Sequence, residues 1–83
     1  MNTIIWKDKK LINMNYDYQK MIINLRSKLI LSQMELGDML GVSFASVNRW
    51  EKGHHEPTIK VKRKIVELCK ENDIELIEKV EGE

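Results

Sequence analysis

The chain has 83 residues with 14 basic and 13 acidic side chains, a formal net charge of +1, and 42% apolar residues. That length allows one domain with a small core and leaves little room for an enclosed catalytic cleft. A single cysteine, Cys69, excludes an intramolecular disulfide framework, and the longest apolar runs fall far short of the ~20 residues a bilayer span needs. No continuous apolar segment marks residues 1–17 as a secretory signal, so a soluble, reduced, cytoplasmic protein is expected. Charge is unevenly placed: residues 1–64 carry 12 basic and 6 acidic side chains, and residues 65–83 carry 2 and 7. A basic body with an acidic end fits a polyanion on one face; it also fits a solvated surface whose charges mix in three dimensions.

Two short apolar pieces, Thr3–Ile4–Ile5–Trp6 and Leu11–Ile12–Asn13–Met14, flank a polar tetrapeptide, which is compatible with a hairpin but lacks its usual turn residues. Asp17 then stands where it can cap a helix. Tyr18, Met21, Ile22, Leu25 and Leu29 recur at helical spacing and predict a helix over about 18–29. Ser32 followed three residues later by Glu35 is a capping box, with Leu36, Met39 and Leu40 as the apolar face and Gly41 as the stop. This second helix, about 33–40, is short. Ser43 is the next cap, and Phe44, Val47 and Trp50 follow at intervals of three before Gly53, predicting a third helix over about 44–52. Only residues 41–43 separate the two, so the helices must cross steeply with Val42 between them, which is helix-turn-helix geometry.

After the His54–Pro57 loop, Thr58 can cap a fourth helix with Val61, Ile65, Leu68 and Cys69 inward, ending near Asn72. For the last segment a helical period (Ile74, Ile77, Val80) competes with an extended one (Ile74, Leu76, Val80). The break at Asn72–Asp73 favours an edge strand.

The run Leu31–Ser32–Gln33-x-x-Leu36–Gly37-x-x-Leu40–Gly41–Val42–Ser43-x-x-x-Val47–Asn48–Arg49–Trp50–Glu51-x-Gly53-x-x-x-Pro57 resembles the Xre/Cro-type, phage-repressor-like helix-turn-helix family. The likeness covers roughly residues 18–72. Gly37 departs from it, because the family usually has alanine there. The resemblance implies a mainly α fold, a compact four- to five-helix repressor-like bundle around the helix-turn-helix; the first 16 residues have no counterpart in the family, and short β segments at the two ends are an expectation from the residues alone. The chain is expected to divide into an N-terminal extension (1–17), β or dimerising, a helix-turn-helix DNA-binding domain (18–72) and an acidic C-terminal segment (73–83).

The physical reasons run parallel to the likeness. Leu36, Leu40, Val42, Val47 and Trp50 form the buried hinge of the motif, and small Gly37 permits close approach. The opposite face of the third helix then carries Ala45, Ser46, Asn48, Arg49 and Lys52 outward. A nine-residue helix spans roughly 13 Å, which suits a major groove about 12 Å wide. In such motifs the start of the recognition helix meets base edges, which singles out Ser43, Phe44, Ala45, Asn48 and Arg49, with Lys52 on flanking phosphate. Arg49 suits guanine O6 and N7, and Asn48 suits adenine N6 and N7. Phe44 and Ala45 fit thymine methyl groups, although Phe44 fits a core position under the turn equally well. Gln33 resembles the family's phosphate-contacting glutamine. Arg26 and Glu51 match an arginine–glutamate ion pair of the family that ties the third helix to the first. Lys60, Lys62, Arg63 and Lys64 are candidate phosphate contacts or a solvated helix face, and His54 and His55 lie in a loop that rides on the backbone in the family.

No nucleophile–base set appears, and Cys69 with His54, His55 and Glu56 lacks the paired spacing of a metal site. The sequence therefore predicts a non-enzymatic regulator without metal or cofactor. Its expected partner is double-stranded DNA, bound as a homodimer on an inverted repeat and acting as a repressor. The dimer surfaces would be Ile4–Trp6 or Ile74–Val80. The alternative is an antitoxin that binds a toxin through residues 1–17 or the acidic tail and autoregulates its operon. No membrane partner is expected.

Overall fold

The computed structural model describes residues 15–79. The expected hairpin pieces, residues 3–6 and 11–14, with the Ile4–Trp6 surface and Val80, lie outside the described residues. Four helices follow in chain order: α1 (Tyr18–Leu29), α2 (Gln33–Leu40), α3 (Phe44–Glu51) and α4 (Ile59–Glu71). The architecture is a mainly α bundle in which α2 and α3 pack on each other and α1 backs both α3 and α4.

The caps explain the boundaries. The Asp17 carboxylate accepts from the Lys20 N–H at 3.1 Å and starts α1. Ser32 and Glu35 form a complete capping box: Ser32 Oγ accepts from Glu35 N–H at 3.0 Å, and Glu35 Oε1 accepts from Ser32 N–H at 2.8 Å. Gly41 closes α2 in the left-handed region at φ 76°. Ser43 Oγ accepts from the Ser46 N–H and starts α3. Thr58 precedes α4 but makes no side-chain cap bond, contrary to expectation. Ile30 takes φ 54°, a left-handed conformation that a β-branched residue rarely adopts, and exposes 86% of its surface.

The core gathers Tyr16, Tyr18, Met21, Ile22 and Leu25, then Leu36, Leu40, Val47 and Trp50, and finally Val61, Ile65, Val66, Cys69 and Ile74. Tyr16 and Tyr18 meet edge to face at 6.2 Å. Met39 belongs outside, where it is exposed. Leu36, Gly37 and Leu40 define the buried arc of α2, and Met39 lies about 100° back from Leu40 along the helical wheel. Leu68 is only half-buried, and Val66 takes the buried place beside Ile65 and Cys69.

After α4, Asp73 turns the chain at φ 57°, and the last described residues run extended. The edge strand is reduced to one antiparallel bridge, Tyr16 with Glu78. Asp17 N–H donates to the Ile77 carbonyl at 2.7 Å, and Lys79 N–H donates to the Asn15 carbonyl at 3.2 Å. The two ends of the described chain thereby clasp each other beside the start of α1. No helix among the described residues is long and apolar enough to cross a membrane.

Candidate nucleic-acid interface

The turn between α2 and α3 is built on close backbone contact. Val42 N–H donates to the Gly37 carbonyl at 2.8 Å. A Cβ placed on Gly37 would stand 2.7 Å from the Val42 carbonyl oxygen and 3.3 Å from the Ser43 carbonyl carbon. Glycine at this position follows from that contact. It sits against the turn itself as well as between the helices.

Helix α3 buries Val47 and Trp50 and turns its other side out. Ser43, Phe44, Ala45, Arg49 and Lys52 are exposed, while Ser46 and Asn48 are half-buried. Phe44 exposes 55% of its surface, so the reading that tucked it under the turn does not hold. Val42 is half-buried and packs against the core. Behind the outer face, Arg26 of α1 grips Glu51 of α3 with two hydrogen bonds, Nε to Oε2 at 2.6 Å and Nη2 to Oε1 at 3.0 Å. Arg26 Nη1 also donates to the Leu31 carbonyl at 2.9 Å.

This pair is part of a longer chain that the sequence reading did not foresee. Gln33, the first residue of α2, donates from Nε2 to Glu51 Oε1 at 3.0 Å. Its own Oε1 accepts from Asn48 Nδ2 at 3.3 Å. Gln33 is thus engaged at both ends of its amide and keeps one Nε2 proton for another acceptor. A third glutamine-to-helix bond closes the arrangement: Gln19 of α1 donates from Nε2 to the Glu51 backbone carbonyl at 2.8 Å, covering an open carbonyl at the end of α3. The sequence signal for this network was the polar residues left at half-buried positions on three helices, which need partners once the apolar set is assigned.

Electrostatics follow the geometry. Burial pushes the Glu51 carboxyl up, but hydrogen bonds from Arg26 and Gln33 with the Arg26 charge outweigh it and hold it below the ordinary carboxylate range. The bond to Glu51 raises the Arg26 guanidinium against the opposing effect of burial. Glu51 is therefore a permanent acceptor at neutral pH.

Of the other cations read as phosphate contacts, Lys60 and Arg63 are exposed on α4. Lys62 is drawn into the structure: it bonds Glu56 at 3.0 Å and lies 5.2 Å from the Tyr18 ring centre. Lys64 is half-buried and reaches the Leu40 carbonyl at 3.5 Å. His54 and His55 are exposed in the loop. Cys69 is fully buried, and burial pushes its thiol up to about 11, which leaves it protonated and packed as a small apolar group. Among the described residues, no three His, Cys, Asp or Glu side chains gather as a metal site.

A short capped helix pair locked by a three-residue turn, with one polar helix face held outward, defines a helix-turn-helix DNA-binding protein. The family model described as Helix-turn-helix matches residues 22–76, and the chain belongs to that Xre/Cro-type family of DNA-binding transcription regulators. No curated protein and no solved structure matches the chain significantly.

Proposed function

We propose that the protein is a sequence-specific repressor that lays α3 in the major groove and acts as a homodimer on an inverted repeat. The observation that carries this reading is the two-sidedness of α3. Val47 and Trp50 anchor one side in the core, while Ala45, Asn48 and Arg49 lie together on the other, beside the α2 start. Arg49 reads guanine through O6 and N7, Asn48 reads adenine, and Phe44 and Ala45 meet thymine methyl groups. Ser43, Lys52 and the free proton of Gln33 hold the sugar-phosphate backbone. One such module buries modest area on DNA, so high specificity calls for two half-sites about one helical turn apart.

Selection of bound duplexes from a random pool tests the reading. A palindromic winner whose affinity falls steeply with salt is expected. Equal binding to all duplexes would reject sequence-specific readout, and a strict monomer on DNA by light scattering would reject the homodimer.

The charge segregation favours a second reading of the same DNA chemistry. Exposed Glu67, Glu71, Asp73, Glu75 and Glu78 follow one another along the C-terminal part of the chain. In an antitoxin they would face a basic toxin while α3 autoregulates the operon. A neighbouring toxin-like reading frame whose product forms a complex with this protein on co-expression supports that version.

A further inference from the structure

We propose that Lys79 is a positioning residue of the DNA interface: it reaches from the C-terminal segment to the loop after α3 and masks the Glu56 carboxylate, so that this loop meets phosphate without repelling it. The inference rests on the major-groove reading of α3 and goes beyond it. The loop starts against the recognition helix, where the His54 N–H donates to the Arg49 carbonyl at 3.1 Å. Lys52, His54, His55 and Lys60 are exposed along this stretch. Glu56 is the one acidic side chain among residues 52–60, and 52% of it is exposed. Unmasked, a carboxylate there would repel the phosphates that the recognition helix must approach.

Two lysines from different parts of the chain close on Glu56, one on each oxygen. Lys62 of α4 donates from Nζ to Oε1 at 3.0 Å, and Lys79 donates from Nζ to Oε2 at 2.9 Å. Main-chain bonds hold Lys79 in place: its N–H donates to the Asn15 carbonyl, next to the bond from the Asp17 N–H to the Ile77 carbonyl. Lys79 also lines one small cavity with Trp50, Gly53 and His55, so the end of the C-terminal segment lies against the loop. The hydrogen bonds from Lys79 and Lys62 outweigh burial and keep Glu56 ionised at neutral pH. Exposed ion pairs of this kind contribute little to folding, because water screens them. Their outward effect is larger: with both lysines in place the cluster is net positive, and without them the loop presents a bare carboxylate to DNA. Only Lys70 and Lys79 are basic among residues 65–83, so an otherwise acidic segment delivers one of its two cations to this loop.

Titration of the full chain, Lys79→Gln, Glu56→Gln and the double variant with the selected duplex and with an unrelated one tests this. Lys79→Gln is expected to weaken binding to both duplexes about five- to tenfold at low salt, with base choice unchanged. The loss shrinks as salt rises and the Debye length contracts. Glu56→Gln alone binds at least as tightly as the native chain. In the Glu56→Gln background no carboxylate remains to be masked, and the same Lys79→Gln change costs less than about twofold. An equal loss in both backgrounds would overturn the proposal and make Lys79 a phosphate contact in its own right. Unchanged affinity in Lys79→Gln alone would overturn it as well. A wild-type protein that binds no duplex would overturn the major-groove reading, and this proposal with it.

Discussion

Replacing Arg26 by methionine keeps much of the side chain's apolar bulk and removes its three hydrogen bonds, two to Glu51 and one to the Leu31 carbonyl. Glu51, whose side chain is 11% exposed, is left with Gln33 as its remaining side-chain donor. Breaking a fully buried pair in this way costs about 3–5 kcal/mol. Arg26 is 28% exposed, so water enters its place and offsets part of the loss, and about 2–3 kcal/mol is expected at pH 7. For a domain of this size that lowers Tm by roughly 10–20 °C. The pH dependence gives a sharper check. The Glu51 carboxyl is depressed in the folded protein, so its contribution is present above the unfolded carboxylate value of about 4.3 and is lost as pH falls through the folded value. In the variant, burial acts without the arginine and the carboxyl moves up. The gap between wild type and variant in urea unfolding is therefore widest near neutrality and closes in acid. The double variant Arg26→Met with Glu51→Leu is expected to recover most of the stability, because no unpaired charge remains. A gap below about 0.5 kcal/mol at pH 7, or one unchanged at pH 3, would refute the reasoning.

Three further substitutions address separate features. Gly37→Ala gains about 1 kcal/mol of helix propensity but drives a methyl to 2.7 Å from the Val42 carbonyl oxygen, an overpacking of about 1–3 kcal/mol. A net loss near 1 kcal/mol in urea unfolding is expected, and a stabilised variant would show that the turn yields without strain. Ile30→Gly relieves a left-handed conformation costing about 1–2 kcal/mol and loses almost no burial, so a gain of about 0.5–1 kcal/mol remains after the entropy of the unfolded glycine. Calorimetry checks it, and a lower Tm would mean that the isoleucine is covered in solution. Arg49→Ala is expected to cost about 1–3 kcal/mol on the preferred duplex and to relax choice at one base position; an equal loss on every duplex would make Arg49 a phosphate contact.

The four helices were legible because their signals are local. Caps at Asp17, Ser32 and Ser43 and the stop at Gly41 depend on neighbours within one turn, and the predicted ranges 18–29, 33–40 and 44–52 differ from the structure by at most one residue. Burial was legible where spacing left one candidate, as at Leu36, Val47 and Trp50. It was misread at Met39 and Val66, where two apolar neighbours competed and the position of the facing helix decided between them. The left-handed Ile30 carries no sequence signal, since its side chain opposes the conformation it takes as the C-cap of α1. The C-terminal segment paired at a single bridge because its partner is the stretch before α1, more than sixty residues away in the chain. Within the candidate site, Arg26 and Glu51 could be matched from sequence. The bonds that Gln33 donates to Glu51 and accepts from Asn48 could not, because they require three helices to be placed first.

Those bonds bear on how an eight-residue helix is aimed. Helix α3 has only Val47 and Trp50 buried, and apolar contact is non-directional: it resists lifting the helix off the core far more than rolling or sliding it. Base readout tolerates displacements of about half an ångström. Glu51 supplies the missing constraint at the end of α3. Its carboxylate takes Arg26 from α1 and Gln33 from α2, and its backbone carbonyl takes Gln19 from α1. Three donors on two helices converge on one residue, so α3 can neither roll nor slide without stretching at least one directional bond. A leucine at position 51 would keep the apolar packing and restore stability beside Arg26→Met, yet would remove the directional bonds that the Glu51 carboxylate accepts. What the polar network contributes is therefore the orientation of the outward face, more than the net free energy of folding.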